Sequence, residues 1–279
     1  MHGRVVCVVC TAVQVIHALP EREEVRGIAS LFHQLLVLRD RPRYQVELYE
    51  INTYCFLRCL HVPDVEAMTD MTACEHYRCA YISDPFAKCI HRLDYQGAST
   101  GWAVNDRPAC LSVNAAHNVL VTCHLTSKIK EFSTHGQLIR ELTLPGSVVS
   151  PWHAIQTGDG QFIVCHGVPD DAVHRVCKIS IDGRDIVQSH GGHQGTGVGQ
   201  YCGSRHLAVD TDESVFVVDA FNWRVKLLSP TLDYALQVVS RYQQLLKGWP
   251  WRVYLDTQRR RLYVADSTAC TGRVIVFNV

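Results

Sequence analysis

His153 and His206 are the residues best placed by type and setting to do chemistry. Each follows an opening dipeptide, Pro151-Trp152 or Ser204-Arg205, at the head of a short apolar β-forming run. Imidazole is a common zinc ligand, and a catalytic zinc takes about three protein ligands and keeps an open position. Only two matching histidines are found, because the equivalent places belong to Arg252 and Cys110. A guanidinium argues against a metal there, and a thiol argues weakly for one. We therefore expect His153 and His206 to hydrogen-bond at a rim, with no cofactor. A zinc or calcium site on these two is the lesser reading.

Trp152 and Trp251 stand beside the same openings, with Trp223 and Trp249 at other repeat positions and Arg205, Arg224 and Arg252 close by. Trp and Arg dominate interface hot spots. The expected partner-binding residues are Trp152, His153, Arg205, His206, Trp251 and Arg252. No catalytic residue is assigned, since no Gly-x-Ser-x-Gly elbow or comparable nucleophile motif occurs. Asp219 with Arg224, and Asp266 with Arg273, recur at repeat positions and read as structural ion pairs. The run Gly191 to Gly199 leads into a strand and lacks a following Lys-Ser or Lys-Thr, so it is a connector rather than a phosphate loop. Cys7 and Cys10 would face opposite ways on a strand, and Cys74 and Cys79 have no second pair with zinc-like spacing. Arg259, Arg260 and Arg261 read as a solvated hairpin turn.

The elements that must position these residues repeat along the chain. A β-forming core, often ending in Asp or Cys, appears around Val37, Tyr81, Val121, Ile163, Val217 and Tyr263, at steps of 44, 40, 42, 54 and 46 residues. A period in the forties with several short strands per unit is the signature of a propeller blade. Asp182-Gly183 between alternating runs is a strong hairpin signal, and blades three to six can be traced strand by strand. Blades one and two look degenerate and are placed by spacing. Blade six ends one strand short, at Val279, and the apolar stretch Arg4 to Val15 is positioned to supply the missing strand and close the ring. The expectation is one all-β domain over 1–279, a six-bladed β-propeller.

Bulk properties agree with that reading. Of 279 residues, 47% are hydrophobic and 19% charged, a globular balance. Lys plus Arg equals Asp plus Glu, at 27 each, so no global field favours nucleic acid or an anionic membrane. The 13 cysteines are odd in number and mostly sit where a strand would carry Val or Ala, which points to free buried thiols and a reducing, cytoplasmic compartment. The stretch Val5 to Leu19 imitates a signal peptide poorly, since it contains Gln14, His17 and two cysteines.

Phe216-Val217-Val218-Asp219-Ala220-Phe221-Asn222-Trp223-Arg224-Val225 resembles the core of an NHL repeat. Ser204 to Asp210 is similar to its opening strand, Gly191 to Gln200 to its glycine-rich lead-in, and Leu262 to Asp266 with Gly272-Arg273-Val274 repeats the pattern. The resemblance covers roughly residues 105–279 and is specific for fold more than for function. It implies a propeller like those at the C-terminus of tripartite-motif ubiquitin ligases, which bind RNA or protein. The family also contains an amidating lyase that uses zinc-binding histidines. Here no RING, B-box or coiled-coil segment occurs, so the expectation is a monomeric propeller or part of a larger multidomain chain. The expected function is a non-catalytic module binding a protein or peptide, without a membrane. One alternative is RNA binding on a positive face of Arg205, Arg224, Lys226 and Arg252. Another is a metal-dependent lyase or hydrolase using the two histidines.

Overall fold

The computed structural model describes residues 11–17, 24–40, 44–168, 170–243, 246–268 and 271–279. They form six four-stranded antiparallel sheets, each running outward from an innermost strand. Blade one is β2 (Val25–Leu31) to β5 (Phe56–His61), and blade two is β6 (Asp70–Cys74) to β9 (Ser99–Ala103). Blade three is β10 (Pro108–Val113) to β13 (Leu138–Thr143), and blade four is β14 (Pro151–Gln156) to β17 (Ile186–His193). Blade five is β18 (Ser204–Val209) to β21 (Ala235–Ser240). In blade six, β22 (Trp249–Asp256), β23 (Arg261–Ser267) and β24 (Gly272–Asn278) are completed by β1 (Thr11–His17), which pairs antiparallel with β24. The expected closure by the start of the chain therefore holds for Thr11–His17; residues 1–10, with Cys7 and Cys10, lie outside the described residues.

Burial explains the repeat that was legible in the sequence. The second strand of a blade is sandwiched between neighbouring blades on both faces, so it is apolar over most of its length; β11 (Val119–Cys123), β15 (Phe162–His166) and β19 (Val215–Asp219) are buried at every residue, the polar ones at or next to the strand end. The fourth strand lies at the rim, where β13 alternates between exposed and half-buried positions. Each neighbouring pair of blades shares a hydrophobic cluster. The cluster joining blades six and one contains Val25, Leu35, Tyr263 and Val276, and it shuts the circle. Blades one and two are as regular as the rest, and their degeneracy is confined to the residues.

Cys74, Cys79, Cys110, Cys123, Cys165 and Cys177 are buried, whereas Cys55 and Cys59 are exposed. The expected ion pairs form, with Arg224 Nε 2.7 Å from Asp219 Oδ2 and Arg273 Nη2 2.6 Å from Asp266 Oδ2. Among the described residues no helix is long and apolar enough to cross a membrane.

Candidate functional site: a plugged channel and its aromatic mouth

One register position recurs at the head of every innermost strand. It is occupied by Gly27, Asp70, Cys110, His153, His206 and Arg252, opposite residues of the second strands such as Leu38, Ser83, Cys165 and Ala265. Just before it, five of the six strands carry a register shift against their neighbour. A bulge re-aims a side chain, and here it turns Trp152, Arg205 and Trp251 toward the mouth while the next residue points along the channel.

The inward residues knit the channel shut. Asp70 Oδ2 accepts from the Leu111 amide at 2.8 Å, and Asp70 Oδ1 accepts from Arg252 Nε at 2.8 Å. Arg252 also donates to the Thr69 carbonyl at 2.6 Å. His153 Nδ1 accepts from the Leu207 amide, so Nε2 carries the proton and donates to the Leu111 carbonyl, both at 3.1 Å. His206 stacks on His153 with ring centroids 3.9 Å apart, and its Nε2 lies 3.5 Å from Asp70 Oδ1. These contacts join blades two to six. Blade one contributes an absence of side chain, because a Cβ on Gly27 would meet Met71 Cβ at 2.7 Å.

Asp70 is 0%, His153 2%, Arg252 5% and His206 7% exposed. Burial alone would raise the Asp70 carboxyl, but Arg252 and His206 beside it override this and hold it well below the usual carboxylate range. Burial also pushes His153 well below an ordinary imidazole, reinforced by His206, and it lowers His206 in the same way. The plug is thus a carboxylate, a guanidinium and two neutral imidazoles.

His153, His206 and Arg252, expected at a partner-binding surface, are buried. They lie beneath the mouth: His153 and Arg252 are committed to cross-blade hydrogen bonds, and His206 is held by its stack on His153 and its approach to Asp70, with both ring nitrogens buried and unpartnered among the described residues. Asp70 was missed, although it stands 14 residues before Asp84, much as His153 and His206 stand 13 before His166 and Asp219. That offset was the available signal.

Asp70, His153 and His206 do bring ligand-type atoms within 4.8 Å of one another. Both Asp70 oxygens and both His153 nitrogens already have protein partners, and Arg252 places a cation at the centre. The donor set is a poor fit to a divalent metal. A second cluster, Asp84, Cys89 and His91, is likewise committed: the Asp84 carboxylate accepts from the Glu66, Ala67, Phe86 and Ala87 amides.

Two spaces flank the plug. On one side a cavity of about 390 Å³ begins at His153 and His206 and follows the innermost strands to Val209, Leu255 and Arg259. On the other side lies the mouth. There Arg205 Cζ sits 3.9 Å from the Trp152 ring centroid, 5.3 Å from Trp251 and 5.4 Å from Phe221. The arc continues from Trp251 through Trp249 to Trp223, with Arg241 Cζ 4.1 Å over Trp223. At its other end His124 packs on Trp152 with ring centroids 4.5 Å apart and planes tilted by 34°. All these aromatic residues are half-buried. Burial, with Arg252 nearby, lowers Arg205 to about 10.

The four cations expected to form a positive face do not. Arg224, Lys226 and Arg252 are buried; Arg224 and Lys226 donate to carbonyls of Thr196, Gly197, Val198 and Gln200, clamping the glycine-rich loop from within. Only Arg205 of the four reaches the mouth.

No protein-family model and no curated protein matches the chain. Solved structures do match. Streptogramin B lyase superposes with a TM-score of 0.64 at 10% identity over 95% of this chain and 86% of that one. A catalytically inactive variant of virginiamycin B lyase from Staphylococcus aureus, with quinupristin, gives 0.67 at 11% identity over 94% and 98%. A protein of unknown function from Bacteroides thetaiotaomicron gives 0.71 at 14% identity over 96% and 72%. Identities this low establish a shared architecture: the chain is a six-bladed β-propeller.

Proposed function

We propose that the chain is an NHL-type propeller that acts as a non-catalytic interaction module, binding a protein or peptide through the aromatic mouth. The observation that carries this reading is the placement of Arg205 between Trp152 and Trp251. Three bulges on adjacent innermost strands turn large, half-buried hot-spot residues to one surface. Rigid aromatic rings give contact area at little entropic cost, and a ring of six cross-packed blades holds them still. Buried His153, His206 and Arg252 support the platform instead of touching the partner.

Replacing Trp152 and Trp251 together by Ala tests the reading. Partner capture from native extract is expected to disappear while the thermal melt stays cooperative. A capture profile identical to wild type contradicts the proposal.

The metal-enzyme alternative has one observation in its favour, the approach of Asp70, His153 and His206. The partners already held by Asp70 and His153, and the Arg252 cation beside them, count against it, and elemental analysis of the purified protein decides between the two. RNA binding would need several cations along a surface, and three of the four expected ones are used internally.

A further inference from the structure

Arg205 has no acceptor among the described residues. Its Nε is buried without a hydrogen bond, and no carboxylate or carbonyl among the described residues pairs with its terminal nitrogens, which keep solvent contact. Its principal charged and titratable neighbours are Arg252 and the thiols of Cys110, Cys165 and Cys202, and the charge of Arg252 is already answered by Asp70. Between Trp152 and Trp251 the mouth therefore carries an uncompensated guanidinium, its Cζ 3.9 Å over the Trp152 ring. Arg241, exposed and stacked on Trp223 at the far end of the same arc, has no ion pair among the described residues either.

A guanidinium held by its π face has its edge free, and that edge is a fork of parallel N–H donors matching a carboxylate. The aromatic faces have already removed much of its water, so a carboxylate arriving there meets a partly desolvated partner that loses little further freedom. We infer that the mouth reads an acidic side chain, Asp or Glu, within a peptide segment whose neighbouring apolar residues rest on Trp251, Phe221 and Trp249. This inference rests on the mouth being the binding surface and names the chemistry of the occupant. A side-chain carboxylate suits the arc better than a nucleic acid. Following a phosphate backbone takes a row of cations, and the Trp152 and Trp223 faces that would stack bases are covered by Arg205 and Arg241.

The test uses the whole chain and a phage-displayed library of random 12-residue peptides with no free C-terminus. Peptides selected on wild type are expected to share an Asp or Glu beside apolar residues. The leading sequence, synthesised as its C-terminal amide, should lose about tenfold in affinity when its acid is changed to Gln. The same change should have no effect against Arg205→Met, which keeps an unbranched apolar chain on Trp152. Arg205→Lys should recover only part of the binding, because an ammonium lacks the fork.

Selected peptides that are apolar without an acid would overturn the acidic-ligand inference and leave the mouth as a binding surface. Peptides that bind wild type and the Trp152→Ala, Trp251→Ala double variant equally would overturn the mouth itself. Binding only by the free-acid form would overturn the side-chain assignment in favour of a terminal carboxylate. Displacement of the peptide by poly(U) RNA with a steep salt dependence would overturn the peptide in favour of RNA.

Discussion

Arg252, in blade six, reaches past blade one to donate its Nε to the carboxylate of Asp70 in blade two, at 2.8 Å. The pair is 182 residues apart in the chain and wholly inside the channel. It spans the seam where the ring closes, so it ties the last blade to the second as well as the first.

Removing one member of a buried ion pair leaves an uncompensated charge. Asp70→Asn is therefore expected to lower the unfolding free energy by about 3–5 kcal/mol, read from urea titration at constant slope. Arg252→Met in the same chain should return much of that loss. A single Asp70→Asn variant as stable as wild type contradicts the plug as described.

Gly27 lets the second blade approach the first. An added Cβ would lie 2.7 Å from Met71 Cβ and 2.9 Å from its amide nitrogen, and backbone cannot move aside as a flexible side-chain tip can. Gly27→Ala should lose about 1–3 kcal/mol, as overpacking does. Met71→Ala should not rescue it, because alanine keeps both the Cβ and the amide that the added methyl meets. Full tolerance of Gly27→Ala in a thermal melt would show that blades one and two are farther apart.

Acid should unfold the protein early. His153, His206 and His166 all titrate below the ordinary imidazole value in the folded state, His166 at about 4. The unfolded chain then binds protons that the folded chain refuses, so the stability these groups allow is complete above about pH 6.5 and falls as pH drops through that value. Asp70 adds a second loss below about pH 4, where its unfolded carboxyl protonates but its folded one does not. Melting temperature measured from pH 8 to 4 should be level to about pH 7 and then fall, less steeply for His153→Gln. A flat profile down to pH 5 disagrees.

Much of the ring was readable in the residues and much of the site was not. The second strands announce themselves because both faces are buried, and a uniformly apolar run such as Phe216-Val217-Val218 is hard to hide. His153, His206 and Arg252 were found because their blades repeat an opening pattern. Asp70 sits in a blade with no such opening, and only the spacing to Asp84 marks it. The bulges leave no residue signature, so nothing told that Trp152 and His153, adjacent in sequence, part company at the mouth. The positive face failed for a similar reason. The sidedness of Arg224 and Lys226 depends on a loop folding back to meet them, a tertiary fact beyond any local pattern.

That loop gives another check. Lys226, 2% exposed, donates to the Val198 and Gln200 carbonyls and lies 4.2 Å over the Tyr201 ring. In Lys226→Met the Val198 carbonyl loses its donor and the Gln200 carbonyl keeps only Arg224, and amide exchange at Gly195 and Gln200 should quicken about tenfold without a matching change in the inner strands. Unchanged exchange there means the clamp does not hold the loop.

Two spaces flank the plug, and the proposed ligand takes the aromatic mouth. The most direct measurement is the calorimetric affinity of one selected 12-residue peptide for three proteins: wild type, the Trp152→Ala, Trp251→Ala double variant, and Ala73→Leu, which narrows the cavity beyond His153 and His206. The tryptophan variant should lose at least about tenfold while Ala73→Leu matches wild type. Binding that survives loss of the tryptophans and fails when the cavity is narrowed would contradict that placement.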